Sequence, residues 1–334
     1  MSHPPLALTM GEPAGIGGEI SLKAWHALHR DNCPFFVIDD LTRLQELAAA
    51  TGLQTPLRQI EKPDEASTHF QDALPVLSIG ETIRCEPGKP GPGTAGAVLR
   101  AIRRAVELTM VGEAGGVVTN PIQKSVLAEA GFAHPGHTEF LAELAGGGAR
   151  SVMMLAGGGL RVVPVTVHMP LSEVPRALTR DLIIETAMIT EQALRRDFGI
   201  EKPRLALAGL NPHAGENGML GPEDGAIIRP AVEHLRNTGL DVTGPLPGDT
   251  MFHESARATY DVALCMYHDQ ALIPLKTLAF DSGVNTTLGL PFVRTSPDHG
   301  TALDIAGSGK ATATSLIAAL RLAMEMAQQR RRHG

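Results

Sequence analysis

The sequence predicts an α/β fold with a mainly parallel sheet that is covered by helices on both faces. Short apolar runs alternate along the chain with amphipathic segments, and 36 glycines and 24 prolines in 334 residues suit tight connections between them. Short apolar runs of this kind are typical of buried strands. They cover residues 6–10, 35–38, 117–119, 152–155, 162–167, 205–210 and 262–266.

Amphipathic segments lie between these runs and predict the helices that cover the sheet. The clearest segments cover residues 94–111, 138–145, 180–198, 224–238 and 311–329. A length of 334 residues is about twice that of a usual domain and predicts two domains. A ligand of such an enzyme is expected at the carboxyl ends of the strands, in a cleft between domains.

Composition excludes several classes of function. A formal net charge of -7 leaves no extended basic surface, so nucleic acid and anionic membranes are not expected as partners. Three widely spaced cysteines without a CxxC pair argue against a disulfide framework or a cysteine zinc site. No leader-like segment and no apolar stretch of membrane-spanning length is visible, so the expected location is the cytoplasm.

Three histidines share one context, because each follows an apolar run. His168 follows Val-Thr-Val, His213 follows Leu-Asn-Pro, and His268 follows Leu-Cys-Met-Tyr. In a parallel sheet such positions face one edge, so the three imidazoles are candidates for a catalytic metal site of the zinc type. The alternative is that each histidine only bonds a turn at the end of a strand, because their spacing forms no local motif.

Other polar residues are candidates for binding an anionic substrate. Gly136-His137-Thr138 begins a predicted helix, with Thr138 as its N-cap, and helix N-termini bind anions. Lys276, Asn285 and Arg294 lie in a stretch poor in charge, where a phosphate would suit the two cations. Ordinary surface ion pairing is the alternative for them.

One acidic residue is a weak catalytic candidate. Asp249, in Leu-Pro-Gly-Asp-Thr-Met, could orient a ligand or take a proton, although an Asp in such a loop is usually a turn residue.

Two glycine-rich segments do not match nucleotide-binding motifs. The frame GxGxxG that begins at Gly15 has Ile20 where its last glycine should be. A P-loop frame that ends at Lys310 has Asp304 at its first glycine and Ala311 at its Ser or Thr. Neither a standard Rossmann fingerprint nor an ATP site is therefore expected.

Several motifs in order make the chain resemble the 4-hydroxythreonine-4-phosphate dehydrogenase family of pyridoxal phosphate biosynthesis. They are Gly-Glu-Pro-Ala-Gly-Ile-Gly at 11–17, Gly-His-Thr-Glu-Phe-Leu-Ala at 136–142, Leu-Asn-Pro-His-Ala-Gly-Glu at 210–216, Tyr-His-Asp-Gln at 267–270 and Asp-His-Gly-Thr-Ala-Leu-Asp-Ile-Ala-Gly at 298–307. The resemblance implies an isocitrate/isopropylmalate dehydrogenase-like fold of two α/β/α domains with a cleft between them. We expect one domain to comprise residues 1–125 and 280–334, and the second, with the metal ligands and dimer contacts, residues 126–279.

The resemblance also implies roles for individual residues. His168, His213 and His268 would bind a divalent metal (zinc, magnesium or cobalt), whereas His137, Thr138, Lys276, Asn285 and Arg294 would bind substrate. His299 and Gly300 lie in a segment similar to the cofactor loop of the wider superfamily, so NAD, or alternatively NADP, is the expected cofactor. A homodimer with a site shared across its interface is the expected assembly.

The reaction implied is NAD-dependent oxidation of 4-(phosphooxy)-L-threonine at C3, followed by decarboxylation to 3-amino-2-oxopropyl phosphate and CO2. Gly18 and Met219 depart from the residues common in the family. Similar enzymes that oxidise 4-phosphothreonate, 4-phosphoerythronate or aromatic cis-dihydrodiols therefore stay alternatives. A zinc hydrolase and a phosphometabolite-binding protein without turnover are more distant ones.

Overall fold

The computed structural model describes residues 3–31, 33–134, 136–146 and 150–333. Within them, twelve strands follow one another along the chain. They are β1 (Leu6–Thr9), β2 (Phe35–Asp39), β3 (Leu57–Ile60), β4 (Leu74–Ser78), β5 (Val117–Thr119), β6 (Val152–Gly157), β7 (Leu160–Pro164), β8 (Arg204–Ala208), β9 (Asp241–Leu246), β10 (Val262–Cys265), β11 (Val284–Leu288) and β12 (Arg294–Pro297).

Helices occupy most of the connections between these strands. They are α1 (Gly17–Leu28), α2 (Leu41–Thr51), α3 (Asp64–His69), α4 (Ala95–Met110), α5 (Lys124–Glu129), α6 (His137–Leu144), α7 (Val174–Ala177), α8 (Arg180–Phe198), α9 (Arg229–Asn237), α10 (Glu254–Arg257), α11 (His268–Ala279) and α12 (Thr314–His333). Across the described ranges, none of the helices has the length and apolar character needed to cross a membrane.

The chain divides into two compact units. The first unit comprises Met1–Ser151 and Leu290–Arg331, and the second comprises Val152–Gly289 with the final residues. The two units place residues 126–151 with the N-terminal segment and residues 280–289 with the middle segment. The domain boundaries expected from the sequence instead place residues 126–151 in the second domain and residues 280–289 in the first.

In the first unit, six parallel strands lie in the order β3-β4-β2-β1-β5-β12. The central strand β1 is buried along its whole length, as is β2 beside it. Helix α4 covers one face of the sheet with a row of buried alanines and branched residues that includes Val98, Ala101 and Ile102. Burial on both faces explains why these strands read as continuous apolar runs.

In the second unit, the order is β11-β6-β7-β10-β8-β9. The pairs β7–β10, β10–β8 and β8–β9 are parallel, whereas β11–β6 and β6–β7 are antiparallel. Gly158 and Gly159 connect β6 to β7, both with positive φ, which favours glycine in a tight hairpin. The predicted α/β class with mainly parallel pairing is therefore confirmed.

Helix α8 shows how the sequence sets the length of an element. Thr179 caps its N-terminus, because the Thr179 side chain accepts a hydrogen bond from the backbone N–H of Leu182. Gly199 ends the helix at φ 67°, a left-handed conformation that glycine adopts without strain. The predicted bounds of 180–198 are therefore confirmed.

Every predicted apolar run contains a strand, but five strands were not predicted. Two of them show why. The edge strand β3 carries the exposed Arg58 and Gln59, and β11 reads Val-Asn-Thr-Thr-Leu, so neither has an apolar run. The predicted helix at 224–238 begins as a wider π-helical turn over Asp224–Ile228 before α9 starts.

A buried ion pair links the end of β2 and helix α2 to the loop at residues 11–17. Arg43 donates from Nε and Nη2 to the Asp39 carboxylate at 3.0 and 2.5 Å, and from Nη1 to the carbonyl of Pro13 at 3.2 Å. Asp39 is fully buried and Arg43 nearly so. Removing one partner of such a pair leaves the other charge uncompensated in a dry environment.

We therefore expect Arg43→Met to lower the free energy of unfolding by about 3–5 kcal/mol. Arg100→Met, which removes an exposed ion pair with Glu81, is the control and should cost less than about 1 kcal/mol. Urea titration of both variants measures the difference. Equal losses would show that burial of the Asp39–Arg43 pair has no energetic consequence.

Candidate functional site

Three neighbouring parallel strands of the second unit lead to the three candidate metal ligands. In the strand register, Cys265 of β10 pairs with Pro164 of β7, and Leu264 pairs with Leu207 of β8. His268 lies three residues beyond Cys265, and His168 lies four residues beyond Pro164. The segments that follow β7, β8 and β10 therefore leave the sheet at the same level and at the same edge, as the sequence predicts.

His168 and His268 lie side by side at this edge. Their ring centroids are 5.6 Å apart, with a tilt of 48° between the ring planes. Both rings line a cavity of about 220 Å³ that is also bordered by Val167, Met169, Leu171, Val174, Tyr267 and Asp269. Two neighbouring imidazoles that face one cavity are a suitable start for a nitrogen-rich metal site.

Asp269 orients the His268 ring. The Nδ1 atom of His268 lies 2.7 Å from the Asp269 carboxylate, so Nδ1 is engaged and Nε2 is the nitrogen left for a ligand. A carboxylate that accepts from the second ring nitrogen is a common partner of metal-binding histidines, because it fixes the tautomer and the ring orientation. His268 also begins helix α11, so its backbone is held at a helix N-terminus.

His213 lines a second cavity of about 520 Å³, together with Asn211, Gly248, Asp249, Phe252, Gln270, Ile273 and Pro274. Tyr267 and Asp269 line both cavities, so the two are neighbours. His213 begins a stretch of five residues, 213–217, in which every φ is positive. Only one of the five is glycine, and a left-handed conformation costs roughly 1–2 kcal/mol per ordinary residue.

The structure brings two of the three candidate ligands together. Over residues 3–31, 33–134, 136–146 and 150–333, no group of three or more His, Cys, Asp or Glu side chains is placed to hold a metal ion. The left-handed stretch directs His213 to the larger cavity, and strand-end placement could not reveal this conformation. The ligand role of the three histidines together stays a prediction.

The remaining candidates of the second unit have different surroundings. Asp249 is an exposed turn residue that borders the larger cavity. Lys276 lies on α11 with its ammonium 5.6 Å from the centre of the Phe280 ring. Asn285 lies on β11, and its buried Oδ1 atom has no hydrogen-bond partner among the described residues. A buried amide oxygen without a partner is unusual and marks a position where a ligand donor would fit.

In the first unit, His137 and Thr138 are the first two residues of α6. The N-cap is Gly136 and no side chain caps the helix, so the prediction that Thr138 is the N-cap is wrong. The backbone of Gly136 is fully extended, and the N-cap lies two residues before the predicted one. The first N–H groups of α6 are thus left without a side-chain acceptor, which favours an anion at this end of the helix.

Two cations accompany this helix start. Arg294 is buried and donates from Nη2 to the hydroxyl of Thr119 at 2.7 Å. Burial lowers the pKa of Arg294 to about 10, and the nearby negative charge of Glu139 partly offsets this effect. The guanidinium therefore stays charged at neutral pH. Lys124, the first residue of α5, places its ammonium 3.5 Å from where a Cβ on Gly136 would lie.

His137 is electrically neutral in these surroundings. Burial lowers the pKa of His137 well below its usual 6.5, and the positive charges of Arg294 and Lys124 lower it further. Its Nε2 atom is buried and has no hydrogen-bond partner among the described residues. A neutral imidazole, two cations and a helix N-terminus without a side-chain cap are groups that suit a phosphate or carboxylate.

The candidate cofactor residues lie in the same unit. His299 approaches the carbonyl of Gly300 through Nδ1 at 3.0 Å, and its buried Nε2 has no partner within the described part of the chain. The segment after Gly300 is supported by the glycine-rich loop at 11–17, because Ile16 donates its N–H to the carbonyl of Thr301 at 3.0 Å. A Cβ on Gly15 would lie 2.9 Å from that carbonyl, so glycine allows the close approach.

Lys124, Tyr267 and Asp269 border these groups but were not predicted as site residues. Each follows a strand within a few residues, as the predicted histidines do. Lys124 follows β5 in Thr-Asn-Pro-Ile-Gln-Lys, so its position after a strand makes it a candidate but does not by itself identify a role.

We expect Lys124→Met to raise the pKa of His137, because it removes a positive charge that opposes protonation of the ring. Lys89→Met, which removes an exposed lysine paired with Glu86 in the same unit, should leave that pKa unchanged. NMR titration of the histidine ring protons measures both. Equal shifts in the two variants, or none in either, would contradict this placement of Lys124.

The low pKa of His137 also makes the stability of the folded chain depend on pH. The unfolded chain takes up a proton near pH 6.5 that the folded chain does not, so stability falls as pH drops below that value. The loss should be smaller in Lys124→Met than in the unmodified chain.

Comparison with known proteins identifies the family of the chain. Residues 31–323 match the family model described as "Pyridoxal phosphate biosynthetic protein PdxA". The chain is 56% identical over 332 residues to a 4-hydroxythreonine-4-phosphate dehydrogenase of Methylorubrum populi, covering 97% of this chain and 95% of that protein. It is 53% identical to the protein of the same name from Caulobacter vibrioides, covering 99% of each chain.

Solved structures agree with the fold along nearly the whole chain. The crystal structure of 4-hydroxythreonine-4-phosphate dehydrogenase from Klebsiella pneumoniae has a TM-score of 0.88 at 40% identity, covering 97% of this chain and 100% of that one. A terephthalate 1,2-cis-dihydrodiol dehydrogenase from Burkholderia xenovorans has a TM-score of 0.67 at 28% identity, covering 97% and 98%. The predicted isocitrate/isopropylmalate dehydrogenase-like fold class is confirmed. The chain belongs to the PdxA family of pyridoxal phosphate biosynthetic proteins.

Proposed function

We propose that this chain oxidises 4-(phosphooxy)-L-threonine at C3 with NAD⁺ and that the product then loses CO2 to give 3-amino-2-oxopropyl phosphate. The observation that carries this proposal is the 56% identity, along nearly the full length, to a 4-hydroxythreonine-4-phosphate dehydrogenase. The reaction needs a pyridine nucleotide as hydride acceptor and a divalent metal, both of which the family implies. Oxidation places a ketone β to the carboxylate, and such an acid decarboxylates readily.

His168, His213 and His268 are the proposed metal ligands. The side-by-side rings of His168 and His268 supply two nitrogen donors, and His213 in the neighbouring cavity supplies the third. An all-imidazole set suits zinc better than magnesium, which prefers oxygen ligands. When bound, the metal supplies Lewis acidity at the hydroxyl oxygen of the substrate.

The residues of the first unit are proposed to hold the phosphate. Arg294 offers a charged donor, and α6 offers free N–H groups at His137 and Thr138. The neutral His137 ring can donate or accept one hydrogen bond through its unpartnered Nε2. Lys276 and Asn285 of the second unit are proposed as further substrate contacts, with the Asn285 oxygen accepting from a substrate donor.

Two further roles remain proposals. His299 and Gly300 are proposed to contact the nicotinamide cofactor, because their loop is braced by residues 11–17. Asp249 borders the cavity that holds His213 and is a candidate proton acceptor for the hydroxyl. NAD is proposed over NADP on the basis of the resemblance alone.

We also propose a homodimer whose site is shared between subunits. Large apolar side chains are exposed around both histidine cavities: Val167 and Leu171 border the smaller one, and Ile273 borders the larger one. Leu278 and Phe280 extend this apolar surface at the end of α11, and Phe280 is 72% exposed. Exposed apolar groups of this size favour coverage by a second subunit.

Incubation of the protein with Zn²⁺, NAD⁺ and 4-(phosphooxy)-L-threonine should produce NADH, detected by absorbance. A chelator should abolish this activity and added Zn²⁺ should restore it.

Hydrolysis of an ester or amide without NADH would indicate a zinc hydrolase. Ligand binding that survives chelation, without turnover, would indicate a binding protein. Faster oxidation of 4-phosphothreonate, 4-phosphoerythronate or a cis-dihydrodiol would replace the proposed substrate by that one.

Arg294→Ala should lower kcat/KM about 10- to 100-fold for the phosphorylated substrate, because a charged hydrogen bond is worth about 1.5–3 kcal/mol. The loss for unphosphorylated 4-hydroxythreonine should be much smaller. Arg103→Ala, which removes an exposed arginine packed on Phe140 in the same unit, is the control. It should change kcat/KM equally for the two substrates. If Arg294→Ala lowers kcat/KM equally for both substrates, Arg294 does not bind the phosphate.

A further inference from the structure

The carboxylate of Asp224 is buried beneath the loop that carries His213. Asp224 is 1% exposed and lies at the start of the π-helical turn that precedes α9. Its Oδ1 accepts the backbone N–H of Leu210 at 2.8 Å, and its Oδ2 accepts the backbone N–H of Asn211 at 3.1 Å. Oδ2 also accepts from Nδ2 of Asn211 at 2.9 Å. One buried carboxylate therefore fixes the two residues that follow the strand β8.

Glu223 strengthens this arrangement from the neighbouring position. Its Oε2 accepts from Nδ2 of Asn211 at 2.8 Å, so two carboxylates share one amide group. Asn211 lies two residues before His213 and borders the same cavity. Hydrogen bonds to ionised acceptors are stronger than those between neutral groups, so they can hold this loop in an unusual backbone conformation.

Three glycines of the loop pack against the same groups. A Cβ on Gly209 would lie 2.7 Å from Oδ1 of Asp224, and one on Gly215 would lie 3.1 Å from its Oδ2. A Cβ on Gly221 would lie 2.5 Å from Nδ2 of Asn211. The backbone before His213 and within its left-handed stretch therefore closes around the Asp224 carboxylate, and the backbone after that stretch packs on Asn211, which Asp224 holds.

The left-handed stretch lies within a 3-10 turn that covers Pro212–Gly218. Further backbone hydrogen bonds close the loop around it, from Ala214 to the carbonyl of Asn211 at 3.1 Å and from Leu220 to that of Gly215 at 3.2 Å. Positive φ at His213, Ala214 and Glu216 persists only where surrounding contacts determine it. The contacts that do so converge on Asp224.

We propose that Asp224 is a positioning residue that fixes the backbone of His213 and thereby sets the metal affinity of the enzyme. This inference rests on the proposed ligand role of His213. Asp224 touches neither substrate nor metal, and it acts only through the loop. A carboxylate is required because all its partners are donors. An amide of the same shape would turn its own NH₂ group toward one of the N–H groups.

Asp224→Asn in the full-length protein should therefore weaken Zn²⁺ binding about 10- to 100-fold, the range found for residues that orient metal ligands. Competition with a chelating dye measures this affinity without any need for activity. The visible spectrum of bound Co²⁺ should change as well. Asp261→Asn is the control, because Asp261 also accepts a backbone N–H, from Arg204 at 2.8 Å, but borders neither cavity. Unchanged Zn²⁺ affinity in Asp224→Asn would overturn the proposal.

A second pair of variants covers the case in which Asp224→Asn does not fold. Gly215→Ala adds a methyl group next to the carboxylate, whereas Gly218→Ala adds one in open space. Both glycines have positive φ, at 78° and 93°, so the backbone strain is matched. Only Gly215→Ala should weaken Zn²⁺ binding markedly. Equal effects of the two would count against Asp224 as the anchor.

A double mutant separates this inference from the proposed function. In a His213→Ala background, Asp224→Asn should cause no further loss of Zn²⁺ affinity, because it acts through the missing ring. A further loss of the same size would show a role independent of His213 and overturn the inference alone. Normal affinity in His213→Ala itself would overturn the ligand assignment and, with it, the inference.

Discussion

Parallel pairing of β10 with β7 and β8 is the constraint on which the candidate metal site depends. The register places the last paired residues of the three strands at one level, so the chain reversals after them share an edge. Hydrogen bonds from Val165 and Thr166 to the carbonyls of Cys265 and Met266 extend this alignment beyond the strands. Histidines from distant parts of the sequence are neighbours in space because the strands before them are.

Each of the two units contributes a different kind of chemistry. The second unit carries the candidate metal-binding histidines at strand ends, and the first carries cations beside a helix N-terminus. Cations near His137 lower the pKa of that ring, so its polar contacts are those of a neutral imidazole.

The fold was largely predictable because buried parallel strands are apolar on both faces and therefore appear as short, continuous runs. Strands with polar faces, such as β3 and β11, were not predicted, because they form no continuous apolar run. Helix α8 was predicted to the residue, since Thr179 and Gly199 mark its ends with side-chain and backbone chemistry. The helix that begins near Asp224 was placed correctly, but its first turn is wider because the Asp224 carboxylate bonds the loop before it.

The site was only partly predictable. Strand-end position identified the three histidines, but the handedness of the backbone at His213 depends on contacts with Asp224 that lie outside any local motif. Thr138 was wrongly predicted as the cap, because the extended Gly136 caps the helix two residues earlier. Lys124 carries no motif of its own, and only the three-dimensional approach to Gly136 and His137 distinguishes it from other exposed lysines.

The bracing of the Thr301 loop by Ile16 has a consequence for synthesis on the ribosome. Lys23 likewise donates to the carbonyls of Gly309 and Ala311, so the first unit joins segments that are synthesised nearly 290 residues apart. Contacts so distant in sequence form slowly, whereas the second unit is built mainly from one continuous segment. During synthesis the histidine-bearing unit can therefore fold first, and the first unit is completed only after α12 has emerged.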